Sequence, residues 1–106
     1  MRILFDQGTP VPLRARLAGH TVSTAFEKGW SALENGELLK RAEAEFDVLI
    51  STDQNLRYQR DLTQYRLAVL VLTTTSWPRI RSRISRVREA LADLEPGQCR
   101  EITFPR

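Results

Sequence analysis

The sequence has one cysteine, Cys99, one histidine, His20, and two lysines, Lys28 and Lys40, and each scarcity excludes a class of chemistry. A lone cysteine forms no internal disulfide, so a reducing, cytoplasmic setting is expected. Without a His/Cys cluster there is no zinc site, and the single His20 supports no Ser/His/Asp nucleophile. No glycine-rich phosphate loop is present. The longest apolar run, Leu67 to Leu72, falls far short of the roughly 20 residues that a membrane span needs, so no membrane partner is expected. The chain enters its first apolar run at Ile3 without a leader-like segment.

What is present is arginine. All but two of the 16 basic residues are arginine and the net charge is +3. A planar guanidinium pairs bidentately with phosphate oxygens, so a nucleic-acid partner is permitted, although an ordinary arginine-decorated surface fits the composition equally well. At 106 residues the chain forms one domain, residues 1–106. We find no internal repeat, low-complexity tract or linker.

The organising stretch is Ile3-Leu4-Phe5, which stops at Asp6 and breaks into Gln7-Gly8-Thr9-Pro10. A short apolar run bounded by turn residues reads as a buried parallel strand, and ligands of open α/β sheets bind outside the carboxyl ends of such strands. Val48 to Thr52, ending at Asp53, repeats the pattern.

Between these strands, residues 10–18 predict a helix opened by Pro10 and Pro12 and closed by Gly19. Residues 21–25 predict a strand. Residues 26–33 predict an irregular or short helical connection, with a capping box at Ser31 and Glu34. Asn35 is the expected N-cap of a helix whose apolar positions are Leu38, Leu39, Ala42 and Phe46, with Glu37 in its first turn. Residues 56–65 read as a helical turn and loop. Residues 67–72 give the most apolar strand, central or nearly so, ending in Thr73-Thr74-Thr75-Ser76. One long helix from Pro78 to about Leu94 carries the stripe Ile80, Ile84, Val87, Leu91, Leu94, bordered by Arg79, Arg83 and Arg86 on one side and Arg81 and Arg88 on the other. Residues 100–104 alternate as a final edge strand. This β/α alternation predicts an α/β fold, a three-layer α/β/α sandwich with a mainly parallel sheet of four to five strands.

Asp6, Glu37 and Asp53 all fall at strand ends or a helix start, positions that can face one crevice. Carboxylates brought together repel unless a cation joins them. Magnesium or manganese accepts oxygen ligands, keeps several waters and takes substrate phosphate as a further ligand. Asn55 offers a neutral oxygen to the same cluster, while Arg57, Arg79 and Arg83 are placed to grip phosphates. Each residue also has a plainer reading. Asp6 and Asp53 suit turns, Glu37 complements a helix dipole, and His20 reads as a surface or capping group. Trp77 and Cys99 pack by default, and the stripe from Ile80 to Leu94 serves a core as well as it would serve a homodimer.

Four segments in consistent order carry a resemblance: Phe5-Asp6-Gln7-Gly8-Thr9-Pro10, Gly19-His20-Thr21-Val22, Asn35-Gly36-Glu37-Leu38-Leu39 and Ile50-Ser51-Thr52-Asp53-Gln54-Asn55-Leu56. Together they resemble the small PIN-like proteins of the DUF5615 family, related to the Mut7-C nuclease domain. The resemblance implies a PIN-like sandwich, an acidic Mg2+ or Mn2+ site and cleavage of single-stranded RNA. It also implies a toxin of a toxin-antitoxin pair, with a small cognate antitoxin as partner. By position, Asp6, Glu37 and Asp53 match the family's acids. Gln7 and Gly8 stand where relatives commonly carry Glu-Asn, and Asn55 stands where a fourth aspartate often lies, so the site holds less negative charge than a full quartet. Two other readings follow from the residues. One is a non-catalytic RNA- or protein-binding module with a degenerate acidic site. The other is a phosphoacceptor receiver domain, which wants an acid pair after the first strand and a lysine after the last; Asp6 is alone and no lysine follows Lys40.

Overall fold

The computed structural model describes residues 1–59 and 61–104, with residues 57 and 59 described by backbone only. Five parallel strands, β1 (Arg2–Phe5), β2 (Thr21–Thr24), β3 (Val48–Ser51), β4 (Ala68–Leu72) and β5 (Cys99–Ile102), form one sheet in the order β2-β1-β3-β4-β5. The first crossover moves outward from β1 to β2, and the next returns past β1 to β3. The β1/β3 junction is therefore the switch point of a doubly wound sheet, where a crevice opens because the flanking crossovers leave on opposite faces.

Strand alternation divides the core into two layers. Ile3, Phe5, Val48, Ile50, Leu70 and Leu72 face the 3-10 segment Val11–Arg16 and the helices α4 (Trp77–Arg81) and α5 (Ile84–Asp93). Leu4, Leu49, Val69 and Val71 face α1 (Ala25–Lys28), α2 (Asn35–Glu45) and α3 (Leu56–Gln59) on the other side. Every residue from Ala68 to Leu72 is buried, as a sheet covered on both faces demands. The result is the three-layer α/β/α sandwich that the alternation predicts. Among the described residues, no helix is long and apolar enough to cross a membrane.

Local departures from the expected elements have identifiable causes. The helix expected over residues 10–18 is a 3-10 segment, Val11–Arg16, because prolines at positions 10 and 12 remove two donors from its opening turn. The capping box forms one element early. Thr24 accepts from the backbone N–H of Glu27 at 3.1 Å, and the Glu27 carboxylate takes the Thr24 N–H at 2.9 Å, opening α1. Gly29, at φ +74°, closes that helix in the left-handed conformation a β-carbon would strain. Glu34, not Asn35, is the N-cap of α2, so Asn35 is the first helical residue and its side chain is released for another use. The long C-terminal helix breaks at Ser82 and Arg83. There the Ser82 hydroxyl donates to the Arg79 carbonyl at 2.7 Å, and Arg83 N–H bonds back only three residues, to Ile80. The stripe survives the break: Ile80, Ile84, Val87, Leu91 and Leu94 are all buried within the chain. A homodimer would need another face.

Candidate functional site

Register decides what the switch point displays. Ile3 lies beside Val48 and Phe5 beside Ile50, so Asp6 follows β1 at the level of Ser51. The ladder runs one bond further, from Asp6 N–H to the Ile50 carbonyl at 3.1 Å. Asp6 shares the parity of Leu4, and Ser51 and Asp53 share that of Leu49, so all three point toward the α2 layer. They meet there in a cleft of about 180 Å³, with Asn35, Ser31 and Gly8 on its wall and Trp30, Leu38 and Leu56 contributing apolar surface.

Asp6 is held from three directions. Its Oδ1 accepts from the buried Thr9 hydroxyl at 2.6 Å, and its Oδ2 accepts from the Ser51 hydroxyl at 2.5 Å and from Thr52 N–H at 3.4 Å. Thr9 Oγ1 also lies 3.0 Å from the Ile50 carbonyl, but a hydroxyl has one proton, and the shorter, charge-assisted contact takes it. Ser51 Oγ accepts from Asp53 N–H at 3.0 Å while donating to Asp6, so one hydroxyl ties the two acidic positions together. Asp53 closes an Asx-turn, its Oδ1 accepting from Asn55 N–H at 3.0 Å, and its Oδ2 accepts from the Asn35 side chain at 3.1 Å. Gly8 lets the loop after β1 press against this cluster, since a β-carbon there would stand 2.4 Å from Thr52 Oγ1.

The expected convergence of three carboxylates does not occur. Glu37 does not line the cleft; its carboxylate accepts from Arg41 Nε at 3.0 Å on the exposed side of α2. The reason is helical phase. Leu38 and Leu39 face inward, so positions three and four residues earlier share their face, whereas Glu37 lies about 200° from Asn35 around the helix. Among the described residues, no group of three or more His, Cys, Asp or Glu is placed to hold a metal ion. Asn55 meets Asp53 through its backbone, and its side chain is exposed.

The expected phosphate contacts divide similarly. Arg79 is engaged within the fold, Nη1 reaching Thr74 Oγ1 at 3.5 Å and Nη2 donating to the Phe104 carbonyl, so it ties α4 to the segment after β5. Arg83 is exposed. The Arg57 side chain lies outside the described ones. Asn35 and Ser51, which line the cleft, and Thr9, which holds Asp6 from the neighbouring groove, are the residues that sequence reasoning missed. The inward phase of Leu38 and Leu39 was the available signal for Asn35.

A second, more apolar groove of about 380 Å³ shares Asp6 and Gln7 with the cleft and is bordered by Val11, Arg14, Phe26 and Glu27. Arg14 donates to Glu27 through Nη1 and Nη2 at 3.3 and 2.5 Å, and this contact, with the Thr24 N–H bond next, holds the Glu27 carboxyl below its usual range. Compared with known proteins, the chain matches no family model, no curated protein and no solved structure.

Proposed function

We propose that this protein is a metal-dependent endoribonuclease of PIN-like type, with its active site in the β1/β3 cleft. The observation that carries the reading is that Asp6 and Asp53, 47 positions apart in the chain, share one crevice at the sheet's switch point. The donor set fits one Mg2+ or Mn2+. Such an ion binds through one or two carboxylates and completes its shell with water and substrate phosphate, and Asp6 Oδ1 and both Asp53 oxygens, each accepting one of the hydrogen bonds described, keep lone-pair capacity for it. When bound, the ion would polarise a phosphodiester and supply hydroxide at neutral pH. Ser51 and Thr9 fix the Asp6 carboxylate, and Asn35 fixes that of Asp53, so neither must reorganise to receive a cation. Ser31 Oγ, buried on the cleft wall without a partner among the described residues, is a polar group that substrate or water would satisfy.

The resemblance to the DUF5615 family supports single-stranded RNA as substrate, a cytoplasmic toxin role and a small antitoxin as partner. A non-catalytic RNA- or protein-binding module is the second reading, favoured by the withdrawal of Glu37 into its pair with Arg41. The receiver reading shares the strand order and the acid positions. It lacks the required lysine, since Lys28 is paired with Glu45 and Lys40 sits on α2.

The deciding experiment is cleavage of unstructured RNA with Mg2+ or Mn2+ by the wild type, Asp6→Asn and Asp53→Asn. A loss of about 100-fold or more in each variant supports the nuclease. Equal rates in all three mean a contaminating activity, and binding without turnover favours the second reading.

A further inference from the structure

The positive charge of this chain is not evenly neutralised. Arg2, Arg14, Lys28, Arg41 and Arg100 each face a carboxylate, Asp47, Glu27, Glu45, Glu37 and Asp93 respectively. Among the described residues, Arg16, Arg81, Arg83, Arg86 and Arg88 form no such pair and are all exposed in one layer of the sandwich, made by the 3-10 segment and α4–α5, while Lys40 and Arg66, also exposed and without such a pair, lie elsewhere. The layer is continuous. The Arg88 Nε and Nη2 groups both donate to the Arg16 carbonyl, at 3.0 and 2.9 Å, and α4 packs on the 3-10 segment.

Helix stability accounts for Arg16 and Arg81, which lie in the last turns of the 3-10 segment and α4, but not for Arg83 and Arg86. A helix is stabilised by acids in its first turn and bases in its last. α5 has the reverse, with Arg83 as N-cap, Arg86 in the first turn and Asp93 at the end, and neither α4 nor α5 carries an acid in its first turn. On α2 an acid, Glu37, does occupy the first turn. Arg86 shares a groove with Glu89, Asp93, Arg100 and Glu101, while Arg16, Arg81, Arg83 and Arg88 have no ion-pair partner among the described residues and add positive potential to this layer, as a polyanion-binding surface requires.

The layer covers the face of the sheet opposite the one the cleft opens toward, and the two meet only at the sheet's carboxyl edge. The 3-10 segment leaves the carboxyl edge of the sheet five residues after Asp6, and α4 leaves the same edge after β4. We infer that the exposed arginines Arg16, Arg81, Arg83, Arg86 and Arg88 form a backbone-gripping track for single-stranded nucleic acid that leads to the β1/β3 cleft. The strand is taken as single because the reading proposed above has single-stranded RNA as its substrate. The inference rests on the nuclease reading for the direction of the track, but the binding it describes needs no turnover.

The test is binding of a fluorescent oligouridylate by anisotropy in EDTA, over a range of salt, with an oligoadenylate and polyglutamate as competitors. The probe binds wild type with an affinity that falls log-linearly with salt, and oligoadenylate competes as well as oligouridylate because phosphates, not bases, are held. Arg81→Ala/Arg86→Ala weakens binding about 10-fold or more and flattens the salt slope by roughly 1.4, at about 0.7 for each single-strand phosphate no longer neutralised. Lys40→Ala/Arg66→Ala, away from that layer, leaves both unchanged. An Arg81→Ala/Arg86→Ala protein of unaltered melting temperature that binds like wild type overturns the track. So does polyglutamate competing as well as RNA at equal charge, which marks a surface for an acidic protein. Binding of this pattern without metal-dependent cleavage upholds the track while the nuclease reading falls; cleavage indifferent to the two arginines does the reverse.

Discussion

Ser51 Oγ stands 2.5 Å from the Asp6 carboxylate, and this contact between the last residue of β3 and the first residue beyond β1 sets the whole cleft. Ser51 is 2% exposed, so water does not readily replace it. The hydroxyl satisfies Asp6 as donor and Asp53 N–H as acceptor, and its removal leaves both with one partner fewer in a half-buried place.

Ser51→Ala is therefore expected to cost about 1–3 kcal/mol, the range for leaving a buried polar group unsatisfied. Urea denaturation checks this as a lower midpoint with an unchanged m-value, since the compactness of the unfolded chain is not altered. A midpoint equal to wild type would mean that Thr9 and Thr52 alone hold Asp6.

The two α2 positions separate the sequence expectation from the cleft as built. Glu37→Gln removes a carboxylate that is ion-paired with Arg41 outside the cleft, so metal-dependent RNA cleavage is expected to stay within about 3-fold of wild type; an exposed i,i+4 pair contributes only about 0.3–0.5 kcal/mol. Asn35→Ala removes the donor to Asp53 Oδ2 and is expected to lower cleavage by about 10-fold or more and to weaken Mn2+ binding by a similar factor, as loss of a supporting group around a metal ligand does. The reverse ranking, measured as initial rates across a Mn2+ titration, would restore Glu37 to the site.

These outcomes also mark what could be read along the chain. Ile3-Leu4-Phe5-Asp6 and Val48 to Asp53 announce two buried parallel strands with acids at their carboxyl ends, because an apolar run stopping at a turn-forming acid has few other meanings. Strand order is silent in the sequence, since it is set by crossover direction and not by any local pattern, so the β1/β3 switch point emerges only in three dimensions. Glu37 was misplaced for a local reason. A first-turn acid suits both a dipole and a ligand, and only the inward phase of Leu38 and Leu39 shows that position 35 faces the strands. The break at Ser82 was hidden because the buried stripe continues across it.

Acid stability has a defined direction. Asp47 is held below its usual carboxylate range, first by the Arg2 N–H, which donates to Oδ2 at 2.7 Å, and then by the Arg2 side chain. A group whose folded pKa is depressed contributes stability that is full above its unfolded value, about 3.9, and is lost as pH falls through the folded value. The Glu27 carboxyl, lowered chiefly by Arg14, acts in the same direction. Melting temperature is expected to be flat from about pH 7 to 5 and to fall below about pH 4. Asp47→Asn should lower the neutral plateau slightly and make the acid branch shallower, because one of the groups that loses its bonds on protonation is gone. An acid branch of unchanged steepness in circular-dichroism melts would remove Asp47 from the account.

Gly8 tests how closely the loop after β1 must approach β3. Its need for glycine is one of space, since positive φ occurs at Gly19, Gly29 and Gly97 but not here. A β-carbon would meet Thr52 Oγ1 at 2.4 Å, while the Thr52 β-carbon, at 3.8 Å, is in ordinary contact. Thr52 is β-branched and stiff at χ1, so it yields poorly, and Gly8→Ala is expected to destabilise by about 1–3 kcal/mol as an overpacking change. Gly8→Ala/Thr52→Ala removes the clashing oxygen and should recover most of that loss. The double-mutant cycle, read from urea midpoints, then shows a coupling of about 1 kcal/mol or more between the two positions. Strict additivity would mean that the cost at residue 8 arises from the unfolded chain and that the loop does not press on Thr52.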